Sequence, residues 1–282
     1  MPELKTAICD AIDRAKDELL VLSHDIHDDP ELSGQEYRAS GRICDFLSGK
    51  NFEITREFCG EKTAFKARLS SQKPGPVIAF IAEYDALPGL GHGCGHNIIA
   101  ASAAGAAVGI SEVIGRVSGE VLVIGCPDEE GAGGKIRLLR AGAFKGVDFV
   151  LEVHPSNKNL INRGHVACSE VKVEYEGKEA HSSIPSAGIN ALSALITLFN
   201  MVDTHRQIWP TKWAPRVNGI ICEGGKASNV ITPYASGKLL VRTKHVEELR
   251  SIIKDIENLA EAAGKSVGAK LKIQHGQIFE DT

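Results

Sequence analysis

Along the first 28 residues apolar side chains recur at helical spacing (Leu4, Ile8, Ile12, Ala15, Leu19, Leu22, Ile26), which predicts one amphipathic helix over 3–28, ended by Pro30. A second helix is predicted over about 34–49, and HDIHDDPELSGQE between them reads as a polar loop. Four apolar, β-branched runs follow at 64–70, 77–83, 119–125 and 148–153, separated by helical stretches at 97–114 and 134–142. Strands apolar on both faces that alternate with helices predict an α/β fold with a sheet covered on both sides. Chemistry then belongs in the loops at the strand C-termini.

From residue 165 the pattern changes. HVACSEVKVEYEG alternates as a half-buried strand, GINALSALITLFNMVDTHR is an amphipathic helix, and APRVNGIIC and YASGKLLVRT are strands. HVEELRSIIKDIENLAEAAG is predicted as a helix that stops at Gly264, and AKLKIQHG as a last strand. The order βαββαβ is that of a ferredoxin-like unit, with two helices on one sheet face. A length of 282 residues agrees with two domains at about 150 each. The first is expected over 1–163 and the second over 164–277, with 278–282 leaving the second.

Composition narrows the classes of function. With 43% hydrophobic and 24% charged residues the chain is globular rather than disordered. The formal charge is −4 and no long basic run occurs, so neither nucleic acid nor an anionic membrane surface is an expected partner. Ile98 to Ile110 is apolar but mostly Ala and Gly, and falls short of the ~20 residues of a membrane span, so it reads as a buried helix. The N-terminus carries charges throughout and reads as mature protein. Seven scattered cysteines fit reduced thiols, and both features point to the cytoplasm.

Three clusters stand at successive predicted strand ends. AEYDALPGLGHGCGHN (82–97) puts Asp85 just past a strand, then His92, Cys94 and His96 in a Gly-rich loop leading into a helix. Imidazole and thiolate separated by single glycines are metal donors on a backbone free to fold around an ion. The competing interpretation makes Cys94 a small buried hydrophobe and both histidines solvated. Asp128, Glu129 and Glu130 follow the strand 119–125, where mutual repulsion would be relieved by a divalent cation. They also suit a solvated acidic helix N-terminus. Glu152-Val153-His154-Pro155 closes the strand 148–153. In the second domain His181, Asn229 and Arg242 offer imidazole, amide and guanidinium groups suited to an oxyanion and a carboxylate.

The stretch 82–97, with the IHxxPEL-like segment at Ile26 to Leu32, resembles the di-metal amidohydrolases and peptidases that include aminoacylase, glutamate carboxypeptidase and the hippurate and auxin-conjugate hydrolases. It is most similar to the branch with aminobenzoyl-glutamate hydrolase and the β-alanyl-dipeptide hydrolases. The resemblance runs from Ile26 through the second domain. It implies that Cys94 is a metal-bridging thiolate and that His96, Glu130 and His154 are ligands, for two divalent ions such as Zn or Mn. It implies Glu129 as general base, taking a proton from the attacking water, and Asp85 as a carboxylate orienting a ligand. His181 would stabilise the oxyanion in the partner subunit of a homodimer joined through the second domain, a lid, and Asn229 and Arg242 would lie near the substrate carboxylate. Such families return from the lid through roughly a hundred further residues with a last histidine ligand. On this comparison the first domain is expected to be incomplete, an apolar sheet edge exposed, and one ion or none held by a chain of this length.

The resulting expectation is a metal-dependent hydrolase of amide bonds in small N-acyl amino acids or dipeptides. The alternative is a non-catalytic metal-binding or regulatory dimer of the same fold. A zinc nucleotide deaminase would need His-x-Glu with Pro-Cys-x-x-Cys, and neither motif is present.

Overall fold

A computed structural model describes residues 2–161 and 164–282. The chain divides into two compact units, Met1–Asn159 and Leu160–Thr282. The boundary expected after residue 163 touches a position outside the described residues.

The first unit opens with α1 (Pro2–Arg14) and α2 (Lys16–Asp28), where the sequence pattern predicts one helix. The apolar stripe is continuous, but at Ala15 (φ −86°, ψ 1°) the turn tightens. Its amide is shared between the carbonyls of Ala11 and Ile12, both at 3.1 Å, a bifurcated bond that redirects the axis without exposing a donor. Then come α3 (Tyr37–Ser48), β1 (Glu53–Arg56), β2 (Phe65–Ser70), β3 (Val77–Ala82), α4 (His96–Ser111), β4 (Glu120–Gly125), α5 (Gly134–Arg140) and β5 (Phe149–Leu151).

The five strands form a mixed sheet in the order β1-β2-β4-β3-β5. β2 is antiparallel to β1 and β4, whereas β3 is parallel to both β4 and β5. Period-2 alternation divides the two central strands between two cores. Val121 and Val123 of β4 and Ala82 of β3 pack with Leu22, Ile26, Ile43 and Leu47 of α2 and α3. Leu122 and Ile124, with Ala79 and Ile81, pack with Leu138 of α5 on the opposite face. β5 differs: it is an edge, and Phe149, Val150 and Leu151 are each at least half exposed. α4 is built of small residues because α1 and α2 lie close against it; a Cβ on Gly109 would meet Ile8 at 2.9 Å and Ile12 at 3.0 Å. No helix among the described residues is long and apolar enough to cross a membrane.

The second unit contains β6 (Ala167–Glu176), β7 (Ala180–His181), α6 (Ala191–His205), β8 (Arg216–Glu223), β9 (Val230–Ile231), β10 (Tyr234–Thr243), α7 (Val246–Val267) and β11 (Lys270–His275). Its four long strands are antiparallel in the order β11-β6-β10-β8, the arrangement of a ferredoxin-like unit. Leu195, Leu198, Leu249, Ile252 and Ile256 from α6 and α7 fill the core against Val171, Val173 and Leu239. α7 does not stop at Gly264, as the sequence suggests; it runs a further turn to Val267 and ends at Gly268, whose φ of +77° is the left-handed cap. Gly264 lies inside because the ring of Tyr175 presses on it, and a Cβ there would meet Cε1 at 3.1 Å. The short strands β7 and β9 pair as a separate ribbon.

Candidate metal centre

Because β3, β4 and β5 run parallel, with Ala82 opposite Gly125 and Phe80 opposite Leu151, the loops that follow them leave one edge of the sheet. The three clusters read from the sequence are those loops. Gly95 (φ +78°) turns the first of them into α4, and a Cβ there would meet Pro155 at 2.9 Å. A glycine therefore lets the loop after β3 approach the loop after β5.

His96 opens α4 and is buried, 1% exposed. Its Nδ1 pairs with Asp85 Oδ1 at 2.9 Å, and a protonated Nδ1 donating to this carboxylate leaves the lone pair on Nε2. Asp85 is itself held, accepting from Ser33 Oγ at 2.7 Å and from the backbone N–H of Glu130 at 2.9 Å. His96 Nε2 faces Glu83 at 3.4 Å, Glu130 at 3.7 Å and Glu129 at 3.9 Å. Two donor sets meet at this nitrogen: Cys94, His96 and Glu130, and Glu83, His96 and His154, each with its ligand atoms within 4.8 Å of one another. The Nδ1 of His154 lies 2.8 Å from the carbonyl of Pro155, so its Nε2 is likewise the free lone pair.

The electrostatics follow from crowding acids under cover. Burial opposes a charged His96, but the hydrogen bond to Asp85 and the charge of Glu83 outweigh it and push the imidazole up to about 9. Burial would raise Asp85, yet its hydrogen bonds from His96, Glu130 and Ser33 bring it below the ordinary value. Glu83 rises to about 7, through burial set against the attraction of Lys135. Glu129 is raised by burial. Cys94 is raised to about 11, first by its hydrogen bond with Glu130 and then by burial.

A divalent cation fits these residues. His96 Nε2 and Glu83 Oε2 are both buried without a hydrogen-bond partner, a costly arrangement that a bound cation would satisfy. Glu83, Asp85, Glu129, Glu130 and Glu152 are five carboxylates, and Lys135 is the ammonium among them, bonded to Glu83 and 3.3 Å from Glu152. The chemistry of the set, thiolate, imidazole and carboxylate, suits a borderline divalent ion.

The structure decides between the alternatives for the first two clusters and corrects the grouping of Asp128. Both His92 and His96 are buried, against the competing interpretation, but His92 enters neither donor set found among the described residues. Asp128 does not join Glu129 and Glu130: its backbone is left-handed (φ +59°), and its carboxylate turns to Arg137 at 2.8 Å. These acids also precede α5 in a turn rather than forming its first turn. His181 and Asn229 come together on the ribbon, where Ser182 N–H donates to the Asn229 carbonyl at 2.9 Å. His181 Nδ1 accepts the Ser183 N–H at 3.2 Å, so a neutral ring carries its proton on Nε2. Arg242 lies apart from them within the same chain. It is exposed, paired with Cys168 and Arg216 toward the end of β10, and the eight residues back to Tyr234 span roughly 26 Å of strand. Glu83 and Lys135 belong to the site without having been singled out from the sequence. A carboxylate directly after an apolar run reads as the end of a strand, and the lysine after GAGG reads as a helix start.

Residues 163–267 match the peptidase dimerisation domain family. The chain is 36% identical to the Xaa-Arg dipeptidase of Homo sapiens, over 97% of this chain and 66% of that protein. It is 30% identical to thermostable carboxypeptidase 2 of Saccharolobus solfataricus, over 85% of this chain and 67% of the other. The structure of a dinuclear metal-binding peptidase from the M20 family of Bacillus subtilis superposes with a TM-score of 0.69 at 23% identity, covering 94% of this chain and 74% of that one, a likeness of fold. The chain thus spans about two thirds of the length of these curated relatives.

Proposed function

This chain belongs to the M20 peptidase family, and from that membership we propose that the protein it forms hydrolyses amide bonds in small N-acyl amino acids or dipeptides, using two divalent cations. The observation that carries this reading is the buried, unpartnered Nε2 of His96, shared by two donor sets at the C-terminal edge of the sheet. Cys94, His96, Glu130 and His154 would hold the cations, with Glu83 as an added donor. Divalent cations supply Lewis acidity, polarising a carbonyl and acidifying water.

This chain's residues would do the rest. Asp85 keeps the His96 proton on Nδ1 and fixes the ring. Glu129, raised by burial and with its side chain one third exposed, takes the proton of the attacking water on a carboxylate oxygen and passes it to the departing amine. His181, donating from Nε2, would stabilise the oxyanion of a partner subunit's site, and Asn229 beside it would meet the substrate carboxylate. Arg242, toward the far end of β10 and apart from Asn229 within one chain, would serve the substrate carboxylate from a different lid than Asn229 does. The thiol of Cys94 favours Zn over Mn by softness. A homodimer through the lid is supported by the dimerisation-domain match and by β8, an edge strand with Ile220 and Ile221 about half exposed. Scattered cysteines support a cytoplasmic setting.

The test combines elemental analysis of the purified protein with release of free amino acid from N-acyl amino acids and dipeptides. Bound divalent metal with amide cleavage that a chelator abolishes is the expected result. Chelator-insensitive cleavage, or a metal-loaded protein inert toward the whole panel, would overturn it.

A further inference from the structure

Glu36 lies outside the metal centre, at the entry to α3, and is fully buried. Its neighbour Glu31 fixes that entry, accepting the N–H groups of Arg38 and Ala39 at 2.8 Å each. Glu36 itself caps nothing in α3. Its carboxylate gathers three donors from three separate segments: the N–H of Gly34 at 2.6 Å, the hydroxyl of Thr63 at 2.9 Å, and the N–H of Asp128 at 2.9 Å. Thr63 stands just ahead of β2, and Asp128 is the residue before Glu129 and Glu130.

Asp128 is the point on which that turn bends. Its φ of +59° is a conformation side chains other than glycine rarely adopt, and it persists only where the surroundings over-determine it. Every polar group of the residue is engaged: the N–H by Glu36, the carbonyl by the N–H groups of Gly133 and Gly134 at 3.0 Å each, and the carboxylate by Ala132 N–H and Arg137. The turn is also crowded, since a Cβ on Gly134 would meet the Pro127 carbonyl at 1.9 Å. Of these contacts the one from Glu36 reaches across 92 positions of sequence and ties the turn to the body of the unit. The following residue but one, Glu130, is pinned on its other side by Asp85.

We propose that Glu36 is a positioning residue for the metal centre: by holding the Asp128 amide it sets where Glu130 and Glu129 present their carboxylates. This rests on the proposal that Glu130 is a metal ligand. The carboxylate is needed as an acceptor of hydrogen bonds more than as a charge. A glutamine can accept both amides through its oxygen and turn its NH2 to the Thr63 oxygen, whereas a leucine of similar size accepts nothing.

The test is a cobalt(II) titration of the whole protein, followed by the thiolate-to-cobalt absorption that Cys94 would give. Glu36→Leu should weaken cobalt binding about 10-fold or more, while Glu36→Gln stays within about 2-fold of wild type. Ile43→Ala, a core variant away from the turn, controls for lost stability and should leave cobalt binding unchanged. Should Glu36→Leu fail to fold, Glu36→Asp keeps the charge but is one methylene too short to reach all three donors, and should bind cobalt at least about 3-fold more weakly. Wild-type affinity in Glu36→Leu, or in Glu36→Asp where that variant stands alone, overturns the inference. Equal loss in Glu36→Leu and Ile43→Ala overturns it too. A wild-type protein that gives no thiolate–cobalt band overturns the metal reading itself, and so separates the two failures.

Discussion

Glu129 and Glu130 are neighbours in sequence and differ in what surrounds them. Glu130 shares a donor set with Cys94 and His96, whereas Glu129 stands at 3.9 Å from the same imidazole, and burial raises its pKa. A carboxylate held on a cation is a poor base, so Glu129→Gln should keep the metal and lower turnover by about 10²-fold or more. Glu130→Gln should lose metal, with activity partly recovered in excess. Equal metal loss in both variants would show the roles to be misassigned. A second expectation concerns pH. Burial raises Glu36 above its ordinary value of 4.5, so the folded state holds that proton more tightly than the unfolded chain. Its stabilising contribution is therefore full below that value and is lost as pH rises through the raised one. Urea midpoints for wild type and Glu36→Gln should diverge as pH rises above the ordinary value of 4.5, with wild type relatively better at the acid end; parallel curves would contradict this. The glycine spacing around Cys94 and His96 makes those donors legible in the sequence. Asp128 was not, because adjacency says nothing of direction, and one left-handed residue turns a carboxylate out of a cluster.

At the scale of elements, periodicity located most of the fold and misjudged it where packing overrides local pattern. Both central strands and the βαββαβ order of the second unit follow from alternation and from helical spacing. β1 escaped because its sequence EITR has a single apolar inward residue and a charged edge, with no run to detect. The ribbon of β7 and β9 escaped because two-residue strands carry no period. Gly264 looks like a helix end, yet it is a packing glycine under Tyr175. The same logic makes α4 testable. Its Gly105 and Gly109 face Leu19, Ile8 and Ile12, so Gly109→Leu would drive a side chain into α1 and should cost about 1–3 kcal/mol in urea unfolding despite the better helix propensity of leucine. Unchanged stability would mean that α1 packs on α4 more loosely than these distances indicate.

For the whole molecule, the proposed roles would divide between units that each have their own core: metal donors in the first, His181 and Asn229 on the ribbon of the second. If the lid joins two copies, its open strand β8 with exposed Ile220 and Ile221 is the edge to pair, and pairing about a two-fold axis gives both subunits the same contact. Charging that edge with Ile220→Lys and Ile221→Lys should shift sedimentation from dimer toward monomer at micromolar concentration. Under the further proposal that His181 serves the partner's site, the two variants His181→Ala and Glu129→Gln damage a site in different chains. Each homodimer then has two defective sites. In a mixed dimer one site combines an intact Glu129 with an intact His181 from the other subunit, and the second site lacks both. Random reassociation makes about half the dimers mixed, so mixing the two inactive proteins should restore about a quarter of wild-type turnover. A histidine acting within its own chain predicts no recovery at all, because every site would keep the lesion it began with.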